Sequence, residues 1–149
     1  MMKAEVIFAT ITGNNEDIAD IITEDLEDHG IETKEEEISQ IDPSEFKDVD
    51  ICIVTPYTYD EGHLPEEGLD FFEDLGQLDL SNKVFGVAGS GDTAYGEFFC
   101  TAVDKFEEQF KKTGAIQGSK SLKINLEPDE KDIKDLDLFV ENIINKIQN

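Results

Sequence analysis

The chain contains no arginine and only 12 lysines against 36 acidic residues, for a formal net charge of −24. So strong a deficit of positive charge excludes a nucleic-acid backbone or an anionic membrane surface as partner, because either would be repelled. It is compatible with a basic protein partner, whose opposite field speeds encounter, and equally with simple dispersal in solution. Long apolar runs are also missing. Ile51 to Val54 is among the longest, far short of a bilayer span, and Met1 to Thr10 lacks the regions of a signal peptide. A soluble, cytoplasmic protein is expected. Of the two cysteines, Cys52 falls in a predicted strand and Cys100 in a predicted helix, with no CxxC pair; they read as buried free thiols in a reducing compartment. The two histidines, His29 at a helix end and His63 in a loop, have neither a second ligand nor a nucleophile in sight, so no metal site and no catalytic residue is expected. Neither a GxxxxGKS/T loop nor a GxGxxG fingerprint occurs. There is no internal repeat, low-complexity tract or Pro/Gly-rich linker.

What is present is periodicity. The 149 residues suit one domain, residues 1–149. Ala4 to Ala9 reads as a strand, followed by a turn and a helix with inner positions Ile18, Ile21, Ile22 and Leu26. Gly30 stands where a helix C-terminus is expected. Ile31 to Ile38 reads as a partly exposed edge strand because of Glu35 to Glu37, whereas Ile51 to Thr55, without polar alternation, reads as a strand buried on both faces. Leu69, Phe72 and Leu75 mark a short helix, Val84 to Ala88 a fourth strand, and Ala102, Val103, Phe106 and Phe110 the stripe of another helix. Ser121 to Leu126 reads as a fifth strand, and Ile133, Leu136, Phe139, Val140, Ile143, Ile144 and Ile147 as the stripe of the last helix. Strict alternation of strand and helix predicts a doubly wound, five-stranded parallel sheet with helices on both faces, and ligands beyond the carboxyl ends of its strands.

Three loops leave those ends. Thr10, Ile11, Thr12, Gly13, Asn14 and Asn15 join the first strand to its helix, where free amides and the positive helix end favour an anion. Gly13 lets the amides converge, and the absence of a cation suits one phosphate held by neutral donors. The same residues also suit an ordinary capped turn. Thr55 to Pro65 places Tyr57 and Tyr59 in a polar loop, and Ala88 to Tyr95 adds a further ring. Such rings either stack on a flat ligand or pack back onto the sheet.

Taken together, the three loops resemble the FMN-binding loops of short-chain flavodoxins, in the same order, after the same strands and over essentially the whole chain. The residues that carry the resemblance are Thr10 to Asn15, Tyr57 to Pro65 ending Leu-Pro, and Gly89 to Cys100, with Gly-Ser-Gly-Asp-x-x-Tyr before Phe-Cys. The resemblance implies a flavodoxin-like α/β fold and a non-covalently bound FMN. It places the phosphate on Thr10, Thr12, Asn14 and Asn15, with Ile11 and Gly13 completing the turn. Tyr59 and Tyr95 would sandwich the isoalloxazine. Thr58, Asp60, Ser90, Gly91 and Asp92 would edge it, Pro56 and Tyr57 belong to the same cofactor-binding loop, and backbone groups near Cys100 would meet its pyrimidine side. Three positions depart from the pattern. Asn15 replaces the usual threonine. Asp60 stands where many members have a glycine whose peptide turns over on reduction, which disfavours the turned state by roughly 1 kcal/mol if it needs positive φ. Gly96 to Phe99 is one residue longer than the common spacing. The extra stretch that interrupts the fifth strand of long-chain flavodoxins is absent.

The resemblance implies an electron-transfer protein without substrate turnover of its own, and the acidic field from Asp48 to Asn82 implies a low potential. Its partners would be basic redox proteins such as a flavodoxin reductase, met transiently by a monomer, and low-potential acceptor enzymes. From Asp48 to Asn82 there are ten acids and no lysine, a field that disfavours an anionic reduced flavin. An FMN protein dedicated to activating a ribonucleotide reductase would carry the same loops and stays open. A phosphorylated receiver domain shares the architecture, but it needs acids where Thr10-Ile11 and Thr55-Pro56 stand.

Overall fold

A computed structural model describes residues 2–9, 13–56, 66–91 and 100–148, leaving aside the side chains of 66, 67 and 148. The element order is β1 (Lys3–Phe8), α1 (Asn14–Asp28), β2 (Glu32–Glu37), β3 (Ile51–Thr55), α2 (Glu66–Leu75), β4 (Val84–Gly91), α3 (Thr101–Lys112), β5 (Ile116–Gln117), β6 (Leu122–Asn125) and α4 (Glu130–Gln148). Two short 3-10 turns, Ile38–Gln40 and Pro43–Asp48, precede β3. The strands run parallel in the order β2-β1-β3-β4-β5, with β6 also pairing with β4. This is the expected doubly wound sheet, with β2 at one edge.

Strand alternation sorts the core into two layers. Ala4, Val6 and Phe8 of β1 pack with Ile18, Ile22 and Leu26 of α1 and with Leu136, Phe139, Val140 and Ile143 of α4. On the other face, Ile7, Val54, Phe85 and Val87 meet Phe71 and Leu75 of α2, Val103, Phe106 and Phe110 of α3, and Phe46 from the second turn. Every residue of β3 is buried, as its unbroken apolar run requires. Phe85 stacks on Phe110 with centroids 4.7 Å apart. Gly30 follows the end of α1 with φ +79°, and His29 Nδ1 donates to the Asp25 carbonyl at 2.8 Å.

The packing corrects the sequence reading at several places. The inner stripe of α2 keeps Leu75 but differs before it: Leu69 is 45% exposed and Phe72 half-buried, whereas Phe71 is buried. The cause is Phe46, whose ring meets that of Phe71 edge-on at 5.9 Å. Ile38 belongs to a 3-10 turn rather than to the edge strand, and Ile133 at the start of α4 is 39% exposed. The expected fifth strand, Ser121 to Leu126, is present as β6, and a short piece ahead of it at the same edge, β5, is one the sequence reading left out. Gln117 pairs with Phe85 and Leu122 with Ala88, so Gly118 to Ser121 bulge out opposite Gly86 and Val87. Cys100 caps the start of α3 in a left-handed conformation, φ 52°, instead of lying within the helix. Both cysteines are free and buried.

Among the described residues, one acidic side chain lies inside. Glu5 in the middle of β1 is 3% exposed, on the face of Ile7. Burial, followed by the carboxylates of Glu45, Glu36 and Asp48, pushes its pKa up to about 7, against the pull of Lys34.

Candidate cofactor site

The carboxyl ends of β1, β3 and β4 converge with the starts of α1 and α3, and the contacts there are mostly backbone-directed. Gly13 caps α1 with φ +95° and ψ −10°, a shape in which a side chain would be strained. The Ala9 amide donates to the Thr55 carbonyl at 3.0 Å, so the chain leaves β1 still paired to β3. Asn14 opens the helix, half-buried, and Asn15 beside it is completely buried. Glu16 and Asp17 follow in the same first turn. They stabilise the helix start but oppose any anion, so an anion here must be held by local amide donors.

Asn15 is the hub of the site. Its Oδ1 accepts from the Ser90 amide at 2.8 Å, and its carbonyl accepts from Thr55 Oγ1 at 3.3 Å. Its Nδ2 is buried and has no partner among the described residues. A buried amide donor without an acceptor costs about 1–3 kcal/mol. An anionic oxygen bound at this helix start would supply that acceptor.

Pro56 and β4 are in close contact. A methyl group built on Gly89 would lie 2.5 Å from the Pro56 carbonyl oxygen and 2.9 Å from Val103 Cγ2. One built on Gly91 would lie 2.9 Å from Cys100 Sγ. Gly91 and Cys100 thus meet at the two ends of segment 92–99. Ser90 Oγ donates to the Leu126 carbonyl at 2.7 Å, and the Leu126 amide donates to the Gly91 carbonyl at 2.8 Å. The Cys100 thiol faces the carbonyls of Gly89 and Ile124 at 3.6 and 3.7 Å, and burial pushes its pKa up to about 12. It is a packed side chain, not a nucleophile.

Of the residues singled out in the sequence, Gly13, Asn14, Asn15, Pro56, Ser90, Gly91 and Cys100 therefore gather at one end of the sheet. Thr10, Ile11, Thr12, Tyr57, Thr58, Tyr59, Asp60, Asp92 and Tyr95 lie outside the described residues, as do His63 and the Gly96 to Phe99 spacing. The sequence reading did not name Thr55 or Leu126 as site residues: Thr55 holds the Asn15 carbonyl through its hydroxyl, Leu126 acts through its backbone, and neither leaves a motif. Among the described residues, no group of three or more His, Cys, Asp or Glu is placed to hold a metal, and no helix is long and apolar enough to cross a membrane.

The donor set fits a flavin mononucleotide. It offers an orphaned buried amide and a glycine-capped helix start for a phosphate monoester, and β4 and Cys100 backbone beside it for the edge of a ring. Comparison with known proteins agrees. The flavodoxin family profile matches residues 6–136. A probable flavodoxin 2 of Bacillus subtilis is 40% identical over 91% of this chain and 90% of its own. Among solved structures, a short-chain flavodoxin associated with a bacterial microcompartment is 50% identical, with a TM-score of 0.97 over 99% of both chains. The flavodoxin of Streptococcus pneumoniae TIGR4 is 46% identical, with a TM-score of 0.94 over 97% of this chain and 99% of that one. This chain belongs to the flavodoxin family, whose members carry electrons on FMN.

Proposed function

We propose that the chain acts as one domain, a monomeric carrier that moves electrons at low potential between redox enzymes of the cytoplasm, without substrate turnover of its own. The observation that carries this reading is the buried Asn15 Nδ2, a neutral donor without an acceptor among the described residues, at a helix start in a chain of this family. Bound FMN supplies the redox chemistry. The chain's residues orient it, exclude water and set its potentials. Asn15, Asn14 and the turn from Thr10 to Gly13 hold the phosphate. Tyr59 and Tyr95 cover the ring, and Pro56 to Asp60, Ser90 to Asp92 and the Cys100 backbone border its edge.

The acidic stretch sets the direction of the potential. Ten carboxylates and no lysine lie between Asp48 and Asn82. Each carboxylate about 10 Å from an added electron opposes it by roughly 0.4–1.7 kcal/mol before salt screening. For one electron about 1.4 kcal/mol corresponds to roughly 59 mV, so several such charges lower the second reduction step by on the order of 100 mV. Spectra recorded during stepwise reduction of the purified protein should show a yellow flavoprotein whose second step is harder than that of free FMN. A colourless protein that takes up no FMN would sink the carrier reading, and a second step as easy as in free FMN would sink the low potential.

Weak docking of a basic reductase on these carboxylates accounts for transient partnership. Raising ionic strength should therefore slow electron transfer from such a reductase. A rate indifferent to salt would assign recognition to apolar contacts instead.

A further inference from the structure

The β3–β4 ladder ends at Val54 and Val87, because β3 stops at Thr55 and Pro56 has no N–H with which to continue. β4 goes on to Gly91, paired on its other side with β6. Past Val87, its β3-facing edge has no strand beside it among the described residues. The Ser90 N–H is nevertheless satisfied, by Asn15 Oδ1 across 75 residues of sequence. Asn15 thus takes the place of a missing strand carbonyl. It sits in the first turn of α1, which follows β1, and reaches over the end of β3, where Thr55 Oγ1 holds its main chain. An amide that accepts through Oδ1 has both N–H groups directed away from that bond, and here they are buried and without a partner among the described residues.

We propose that Asn15 is a positioning residue coupling the two ends of the cofactor site: its oxygen holds the Ser90 end of β4, and its N–H is offered to the phosphate. The proposal rests on the FMN reading above. Its consequence is that the phosphate end and the ring-edge end are set by one rigid side chain, so binding at either end orders the other.

Two substitutions separate the halves of the amide. Asn15→Asp keeps an acceptor for Ser90 and replaces the donor with a negative oxygen. Asn15→Ala removes both. The full-length chain, stripped of flavin, is titrated with FMN and with riboflavin, which lacks the phosphate, and exchange of the Ser90 amide is followed by NMR. Asn15→Asp should lose at least about tenfold in FMN affinity while riboflavin affinity stays within about threefold and the Ser90 amide stays protected. Asn15→Ala should weaken riboflavin as well, and its Ser90 amide should exchange freely. Riboflavin affinity unchanged in Asn15→Ala overturns the coupling. Should that variant not fold, an unchanged ratio of FMN to riboflavin affinity in Asn15→Asp, or a Ser90 amide left unprotected by it, overturns the proposal. A wild-type chain that binds neither flavin refutes the carrier reading itself. A wild-type chain that binds FMN beside indifferent variants refutes only the role of Asn15.

Discussion

Replacing Gly89 with alanine should lower the stability of the flavin-free protein by about 3 kcal/mol and weaken FMN binding in the same variant. The new methyl group would stand 2.5 Å from the Pro56 carbonyl oxygen, well inside van der Waals contact. That neighbour is backbone, so relief requires the chain after β3 to move rather than a side chain to turn. Val103 Cγ2, at 2.9 Å, crowds the same position. Pro56 leads directly into the loop assigned to the ring, so the displacement is transmitted to the cofactor. In a domain of this size the loss corresponds to a fall in Tm of roughly 6–12 °C. Gly30 provides the control. It has φ +79° but nothing within 4 Å of an added methyl group, so Gly30→Ala should cost about 1–2 kcal/mol of strain and leave FMN affinity alone. Urea unfolding of both variants with a flavin titration of each checks the pair. A Gly89→Ala protein as stable as wild type would show that the Pro56 carbonyl does not abut β4.

The second large effect is on the pH dependence of stability, which should run opposite to that of a protein held by ionised acids. Glu5 has a pKa raised to about 7 in the fold from an ordinary value of 4.5, by burial first and then by Glu45, Glu36 and Asp48. The folded state therefore holds a proton that the unfolded chain releases. The stability this supplies is fully present below about pH 4.5 and is lost as the pH rises through about 7. Two further acids act in the same direction. Asp25 on α1 is raised to about 7 by burial and by Asp137 across the α1–α4 contact, and one of its oxygens is buried without a partner among the described residues. Glu35 on β2 is raised to about 7 by burial and by Asp20 of α1. Both are partly exposed, which screens their share. Glu5 alone should make the protein about 2–3 kcal/mol more stable near pH 5 than near pH 8. Urea unfolding of the flavin-free protein across that range measures it. Glu5→Gln, which is neutral at every pH, should be the more stable protein at pH 8 and should flatten the profile. A stability that rises from pH 5 to pH 8 in the wild type would show that Glu5 is ionised in the fold.

These effects turn on residues whose importance was not legible in the sequence. Glu5 stands between alanine and valine in a short strand, where alternation alone sends it to one face without saying whether that face is covered. The 3-10 turn bearing Glu45 and Asp48 covers it. Gly89 read as one member of a glycine-rich motif, and its closeness to Pro56 follows from the crossing of β4 past the end of β3. Phe71 displaced Leu69 from the inner face of α2 because Phe46, 25 positions earlier by residue number, offered a ring to pack against.

The sequence by itself determined the order and type of nearly every element, the parallel doubly wound sheet, its acidic edge strand, and the strand ends from which the three loops leave. Apolar period, helix caps and turn residues are local properties, written within a few positions of where they act. Only the tertiary structure decided that Asn15 closes on Ser90, that Glu5 is sealed under a turn, and that a short piece, β5, precedes the expected fifth strand with Gly118 to Ser121 bulging between them. Those outcomes depend on which distant backbone groups packing leaves without a partner, and hydrogen-bonding need, unlike periodicity, has no local spelling.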